Sequence, residues 1–427
     1  MNLAIGPMTA IVPVVLGVPI DFILFAAILL GVALFHHHTL RVALIGLAVI
    51  VAYKLFVTGF KSGSGFDGLV GHMRQEWVML TNLFLLLVGF GLLSRHFEKS
   101  RIPAVLPRIL PHDWKGAFWL LVIVFVLSSF LDNIAAALIG GAMAHTLFRA
   151  KVHIGYLAAI VAASNAGGSG SVVGDTTTTM MWIDGVSPLD VLHGYAGAGV
   201  ALVVCGIPAA IQQQRYSPIL KHEHEYVHVD WPRVGIVAFI LVTAIVVNVI
   251  INVQFSERSD TFPFIGSSVA VAVLISGFVR RPDWEIVPEA VKGSIFLLSL
   301  VLCATLMPVE RLPGASWQTA LGLGFVSAVF DNIPLTALAL KQGGYDWGGL
   351  AYAVGFGGSM IWFGSSAGVA LSNSYPESKS VVLWLKHGWH VTVAYVVGFT
   401  AFLIIAGWHP HAPHKVGVVA SWSVSTA

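Results

Sequence analysis

The 427-residue chain is poor in charge and in cysteine. Asp, Glu, Lys and Arg together make up only 10% of it and 56% is hydrophobic, whereas an ordinary globular domain is roughly a quarter charged. A soluble fold could not cover its surface with so few charges. The net charge of +2 excludes the basic field of a nucleic-acid-binding protein, and no tail dense in Lys and Arg suggests attachment to a membrane surface. The two cysteines, Cys205 and Cys303, lie inside apolar runs. They read as core packing rather than redox or metal ligands, and one pair allows no disulfide framework. No basic segment precedes the apolar stretch within residues 1–19, so no cleavable signal peptide is expected.

What the chain has instead is apolar length. Runs of about 18 or more residues recur along nearly all of it, each able to cross roughly 30 Å of bilayer hydrocarbon as a helix. The pattern predicts an all-α polytopic membrane protein with crossings near 16–34, 40–58, 77–94, 188–210, 234–254, 264–280, 293–310 and 381–406. Two more, at 153–184 and 346–372, are interrupted by SNAGGSGSVVGDTTTT (164–179) and GFGGSMIWFGSSAGV (355–369) and read as broken helices. Ahead of each break, an Asp-Asn pair sits in the middle of an apolar stretch, Asp132-Asn133 within 117–148 and Asp331-Asn332 within 315–341. Non-helical backbone is tolerated at membrane depth only inside protein or beside a watery cavity, so both stretches are expected to be re-entrant hairpins.

These pieces make two copies of one plan, residues 1–214 and 234–427, joined by a His-rich linker at 215–233. FLDNIAAAL (130–138) answers VFDNIPLTA (329–337), and Gly167, Gly168, Ser169 and Gly174 answer Gly357, Gly358, Ser359 and Gly364. With a hairpin that does not cross, each copy crosses five times, about ten in all. An odd count per copy forces the second to be inverted, the build of many secondary transporters. The basic residues test this topology. Fifteen Lys and Arg, from Arg41 to Lys379, fall on one side and six, including Lys61, Arg74 and Lys341, on the other. The richer side, with the linker, should be cytoplasmic, placing both termini outside. Lys54 and Lys386 fall near helix ends, where long side chains snorkel.

Three acids, Asp132, Asp175 and Asp331, are expected deep in the repeated elements, with Asp21 a weaker fourth. A carboxylate there must be protonated, solvated or paired with a cation, and each alternative describes a cation or proton site. The competing reading is that Asp132 and Asp331 merely cap the second limbs of their hairpins. Asp175 is followed by Thr176, Thr177, Thr178 and Thr179, a run of oxygens suited to a hard cation. Glycines there let the chain unwind so that carbonyls could face an ion. The second copy has Ser365 and Ser366 where the first has Asp175 and Thr176, so the site is asymmetric in charge. Asn165, Ser169 and Ser359 lie in the same broken stretches, and Asn133 and Asn332 brace the tips or donate a carbonyl. The histidines at 36–38, in KHEHEYVH (221–228) and at 409, 411 and 414 read as solvated loop residues.

LDNIAAALI with NAGGSGSVVGDTTTTMMW, and FDNIPLTAL with GGSMIWFGSSAGVAL, resemble the motifs of NhaD-type Na+/H+ antiporters. These belong to an ion-transporter superfamily that also holds arsenite permeases and citrate or dicarboxylate carriers. The resemblance implies an elevator-type carrier, often a homodimer, with Asp132, Asn133, Asp175, Thr176 and Asp331 as transport residues. The chain departs from the usual pattern at Ala135, where such hairpins commonly have proline. The resulting expectation is an inner-membrane antiporter of Na+ or Li+ against H+, with no cofactor, no structural metal and no enzymatic activity. Its partners are small ions and lipid. The alternative is an anion carrier for citrate, a dicarboxylate or arsenite, coupled to Na+ or H+.

Overall fold

The computed structural model describes residues 13–411 apart from 16, 36–37, 107–109, 220–227 and 256–257. Because the apolar runs carry few breakers, most of the described residues are helical. In the first half these are α1 (Ile20–Leu34), α2 (Thr39–Tyr53), α3 (Gly65–Lys99), the short α4 (Ile102–Val105), α5 (Trp114–Ser128), α6 (Asn133–Leu147), α7 (Ile154–Ser169), α8 (Thr176–Ile183), the short α9 (Pro188–Leu192) and α10 (Gly194–Tyr216). The second half has α11 (Trp231–Gln254), α12 (Phe264–Ser276), α13 (Val287–Thr305), α14 (Trp317–Ser327), α15 (Asn332–Gln342), α16 (Trp347–Gly357), α17 (Ser366–Ser374), α18 (Val381–His387) and α19 (Trp389–Ile405).

The helices sort into two bundles by what they touch. In the first, α3 packs on α11, α12 and α13, while α2 lies between α1 and α13. The second is centred on α7 and α16, which are buried on every side, as expected of helices apolar all round. Around them pack α5, α6, α10, α14, α17 and α19. The bundles meet where α8 lies on α3 and α15 lies on α13. Buried tyrosines of the second bundle donate their hydroxyls to carbonyls of neighbouring helices: Tyr156 to Ala117 O at 2.6 Å, and Tyr352 to Tyr395 O at 3.0 Å.

Glycine sets the closest approaches, in the same way in both halves. A Cβ on Gly167 would lie 2.0 Å from the Phe125 carbonyl oxygen, and one on Gly357 2.3 Å from that of Gly324. The ends of α5 and α14 therefore lie directly against the broken helices.

Several boundaries differ from the sequence reading. Among the described residues, five helical stretches are long and apolar enough to cross a bilayer, and a sixth only if α18 and α19, bent by 63°, count as one span. The run 381–406 is thus two helices, broken at Gly388. The crossing expected at 264–280 is a helix of only 13 residues, because Gly277, Arg280, Arg281 and Pro282 follow it. The third helix starts at Gly65 rather than near 77 and runs for 35 residues, about 52 Å at the usual rise. Its first turns hold His72 and Glu76, whose partners lie on other helices. Residues 220–227 of the His-rich linker lie outside the described residues.

Candidate functional site

Four half-helices start at one place. Asp132, Asp175, Asp331 and Ser365 are the N-caps of α6, α8, α15 and α17, and their side-chain oxygens accept the backbone N–H of Ile134 (3.2 Å), Thr177 (3.0 Å), Ile333 (3.0 Å) and Gly368 (3.2 Å). A carboxylate at a helix N-terminus is favoured by the helix dipole as well as by the bond. Capping and burial therefore coexist here. Asp175 is 2% exposed, while Asp132 and Asp331 keep partial exposure.

Asn165 is the junction of the polar network. Its amide donates to the Ser359 hydroxyl at 2.9 Å and the Ser365 hydroxyl at 3.0 Å, and its carbonyl accepts from Asn133 at 3.0 Å. One residue of α7 thereby ties the tip before α6 to both ends of the break between α16 and α17. Across the site, the Asn332 amide reaches Asp175 Oδ2 at 3.5 Å, and the Ser366 hydroxyl donates to Asp331 Oδ2 at 2.9 Å. Both tip asparagines thus act as braces.

Asp132, Asp175, Thr176, Thr179, Ile333 and Ser366 line one wall of a cavity of about 190 Å³. The other wall is apolar, from Leu83, Leu86, Leu87, Phe90 and Gly91 of α3 and Ala290, Gly293, Ser294 and Leu297 of α13. No basic residue is among the described residues of the lining. The cavity lies at the seam between the bundles.

Not every expected residue faces it. Ser169 donates back to Ala166 O at 2.8 Å, and Thr177 contributes its backbone N–H to Asp175. The threonine run does less for an ion than its oxygen count suggested. Thr178 and Thr179 donate to Ser171 O (2.6 Å) and Val172 O (2.9 Å), and both also to Asp175 O. Ser129 and Tyr195 donate to Gly167 O, each at 3.1 Å. Carbonyls freed by the glycine break are thus taken by hydroxyls of the protein, which hold the break open in one shape.

Other buried ionisable groups escaped sequence reasoning. Lys54 does not snorkel: its ammonium lies 2.6 Å from the fully buried Asp21, which is thereby neutralised away from the cavity. Glu76 pairs with Lys341 at 2.5 Å. His72, His96 and His390 are buried, and a single histidine, in the polar stretches around 72 and 96 or in the apolar run around 390, gives no periodic signal. His36, His37, His414 and residues 221–227 lie outside the described residues. His411 is not merely solvated, since its Nε2 lies 2.8 Å from Asp190 Oδ2.

Known proteins resemble this chain. Sodium/proton antiporter 1 of Arabidopsis thaliana is 23% identical over 420 residues, covering 88% of this chain and 70% of its own. The Na+/H+ antiporters NhaD of Halomonas elongata and Vibrio parahaemolyticus are 23% and 26% identical, covering 69% and 70% of this chain and 68% and 83% of theirs. The resemblance to NhaD-type Na+/H+ antiporters thus spans most of the chain. These relatives are transporters by name, not enzymes, and together with the apolar helices they mark the chain as an integral multi-pass membrane protein. No family model matches it.

Proposed function

We propose that the chain exchanges Na+ or Li+ for H+ as a secondary transporter, binding the cation and the proton in turn at Asp175 with Asp132 and Asp331 close by. The observation that carries this is the cavity itself, where acid-capped helix starts face an apolar wall with no basic residue in the lining. An anion carrier would present helix N-termini to its substrate. Here those termini are already occupied by the protein's own Asp and Ser caps. The relatives' names point the same way.

The proposal includes the two inverted repeats at 1–214 and 234–427, with hairpins at 117–148 and 315–341 that enter from opposite sides. Ten crossings then place both termini outside the cytoplasm, in the cell inner membrane. The bundle carrying the polar wall slides as a body along α3 and α13, an elevator-type cycle in a homodimer. Smooth leucine and glycine surface on those two helices supports such sliding.

Everted vesicles that hold a pH gradient test the exchange. Adding Na+ or Li+ should dissipate the gradient, and adding citrate or arsenite should not. Asp175→Asn should abolish the response while the protein is still recovered as a folded species by size-exclusion chromatography. Citrate- or arsenite-driven transport without any Na+ or Li+ response would replace this reading with the anion carrier.

A further inference from the structure

Among the described residues, five ionisable side chains with polar heads are buried in the first bundle, away from the cavity: Asp21, Lys54, His72, Glu76 and His96. Asp21 and Lys54 satisfy each other within that bundle at 2.6 Å. Glu76 differs because its partner comes from the other bundle. Lys341, in the last turn of α15, places Nζ 2.5 Å from Glu76 Oε1. The carboxylate is 6% exposed and the lysine side chain 34%.

The position of the pair gives it meaning. On α3, Glu76 comes seven residues before Leu83, the first cavity residue of that helix, about 10 Å along the axis. On α15, Lys341 comes eight residues after the cavity residue Ile333, about 12 Å. The pair therefore spans the two bundles at matching heights, on one side of the cavity. The charge count of the loops assigns that side to the outside, together with Lys61, Arg74 and Arg311.

We propose that Glu76 and Lys341 form the outer gate of the ion path, a charge clasp between the bundles that is closed in this structure and separates when the cavity opens outward. The proposal rests on the exchanger reading for what passes the gate. A separated Glu76 would leave a buried carboxylate beside His72, whose ring is engaged with the Thr305 hydroxyl at 3.1 Å. A buried charge stripped of its partner is disfavoured, so the clasp biases the carrier toward the outward-closed state. The open gate must then supply Glu76 with water, a cation or a proton.

Two measurements test this, in a background with Cys205 and Cys303 replaced by serine. In the first, Glu76→Cys with Lys341→Cys is bridged by a short bis-methanethiosulfonate reagent. Bridging should stop Na+-dependent proton movement, and a reductant should restore it. In the second, Leu83→Cys reports outside access to the cavity through a membrane-impermeant thiol reagent. Glu76→Gln or Lys341→Gln should speed that labelling about tenfold, a shift of the open population, and the charge swap Glu76→Lys with Lys341→Glu should slow it again. A merely structural pair would change protein yield but not labelling. Should the neutral variants fail to accumulate, Glu76→Asp carries the same labelling test. Undiminished exchange in the bridged protein, or unchanged labelling in the neutral variants, overturns the gate. If the labelling shifts as expected but no variant or parent exchanges Na+ for H+, the gate stands and the exchanger reading falls.

Discussion

Asn165 has all of its tip-to-tip role concentrated in one amide. It is fully buried and bonded to Asn133, Ser359 and Ser365. Replacing it with alanine leaves an amide and two hydroxyls short of a partner, each worth about 1–3 kcal/mol when nothing else satisfies it. Asn165→Ala should therefore lower the thermal midpoint and weaken apparent Na+ affinity, whereas Ser169→Ala, whose hydroxyl donates back to Ala166 O of its own helix, should do little to either. Thermal unfolding and Na+ titration of exchange check both. The acids of the site were legible in the sequence because an Asp inside an apolar run has few explanations. Asn165 was visible only as part of a motif, since its value lies in contacts some 200 residues away in the chain. Glu76 and His72 were not legible: GHMRQEW reads as a loop until a lysine and a threonine from distant helices are placed against it. Lys54 misled for the same reason, because its partner Asp21 belongs to another helix.

At the scale of elements, the glycine runs and mid-span Asp-Asn pairs lie where helices end and restart, because both are local signals. Helix lengths were less legible, since α3 extends through polar turns that only tertiary pairing supports. The glycines at the breaks make a matched prediction. Gly167→Ala and Gly357→Ala would push a methyl to 2.0 Å and 2.3 Å from carbonyl oxygens of α5 and α14, and overpacking of this kind costs about 1–3 kcal/mol or more. Gly322→Ala meets nothing within 4 Å and should be neutral or stabilise by about 0.4–1 kcal/mol. A second prediction concerns the link between the end of α3 and the loop before α13. Lys99 and Arg95 both bond Asp283, holding its carboxyl down at about 2. A depressed carboxyl contributes stability that is complete above its unfolded value of about 3.9 and is lost as pH falls through the folded one. The thermal deficit of Asp283→Asn should therefore be the same at about pH 5 and about pH 9 and should shrink only below about pH 4. A deficit that varied across the neutral range would show that another group carries the link.

For the molecule as a whole, the proposed exchange rests on competition for one site rather than on any dedicated coupling device. One bundle carries the acids of the cavity, and the other lines it with a largely apolar surface. Moving an unpaired carboxylate along that surface is disfavoured, whereas a protonated or cation-bound site crosses more readily. In the proposed cycle the empty carrier is thereby held back. If Na+ and H+ occupy the same carboxylate, apparent Na+ affinity must weaken about tenfold for each unit that pH falls below the titration point of the site, and must level off above it. A slope of two per unit would mean that two protons are displaced for each cation, coupling the cycle to the membrane potential at about 2.3 kcal/mol per net charge per 100 mV. The maximal rate at saturating Na+ should stay constant over the competitive range. Proteoliposomes assayed at several pH values, with Na+ varied at each, measure the slope directly. Affinity that did not change with pH, with only the maximal rate responding, would place the proton on a group other than the Na+ carboxylate and remove Asp175 as the shared site.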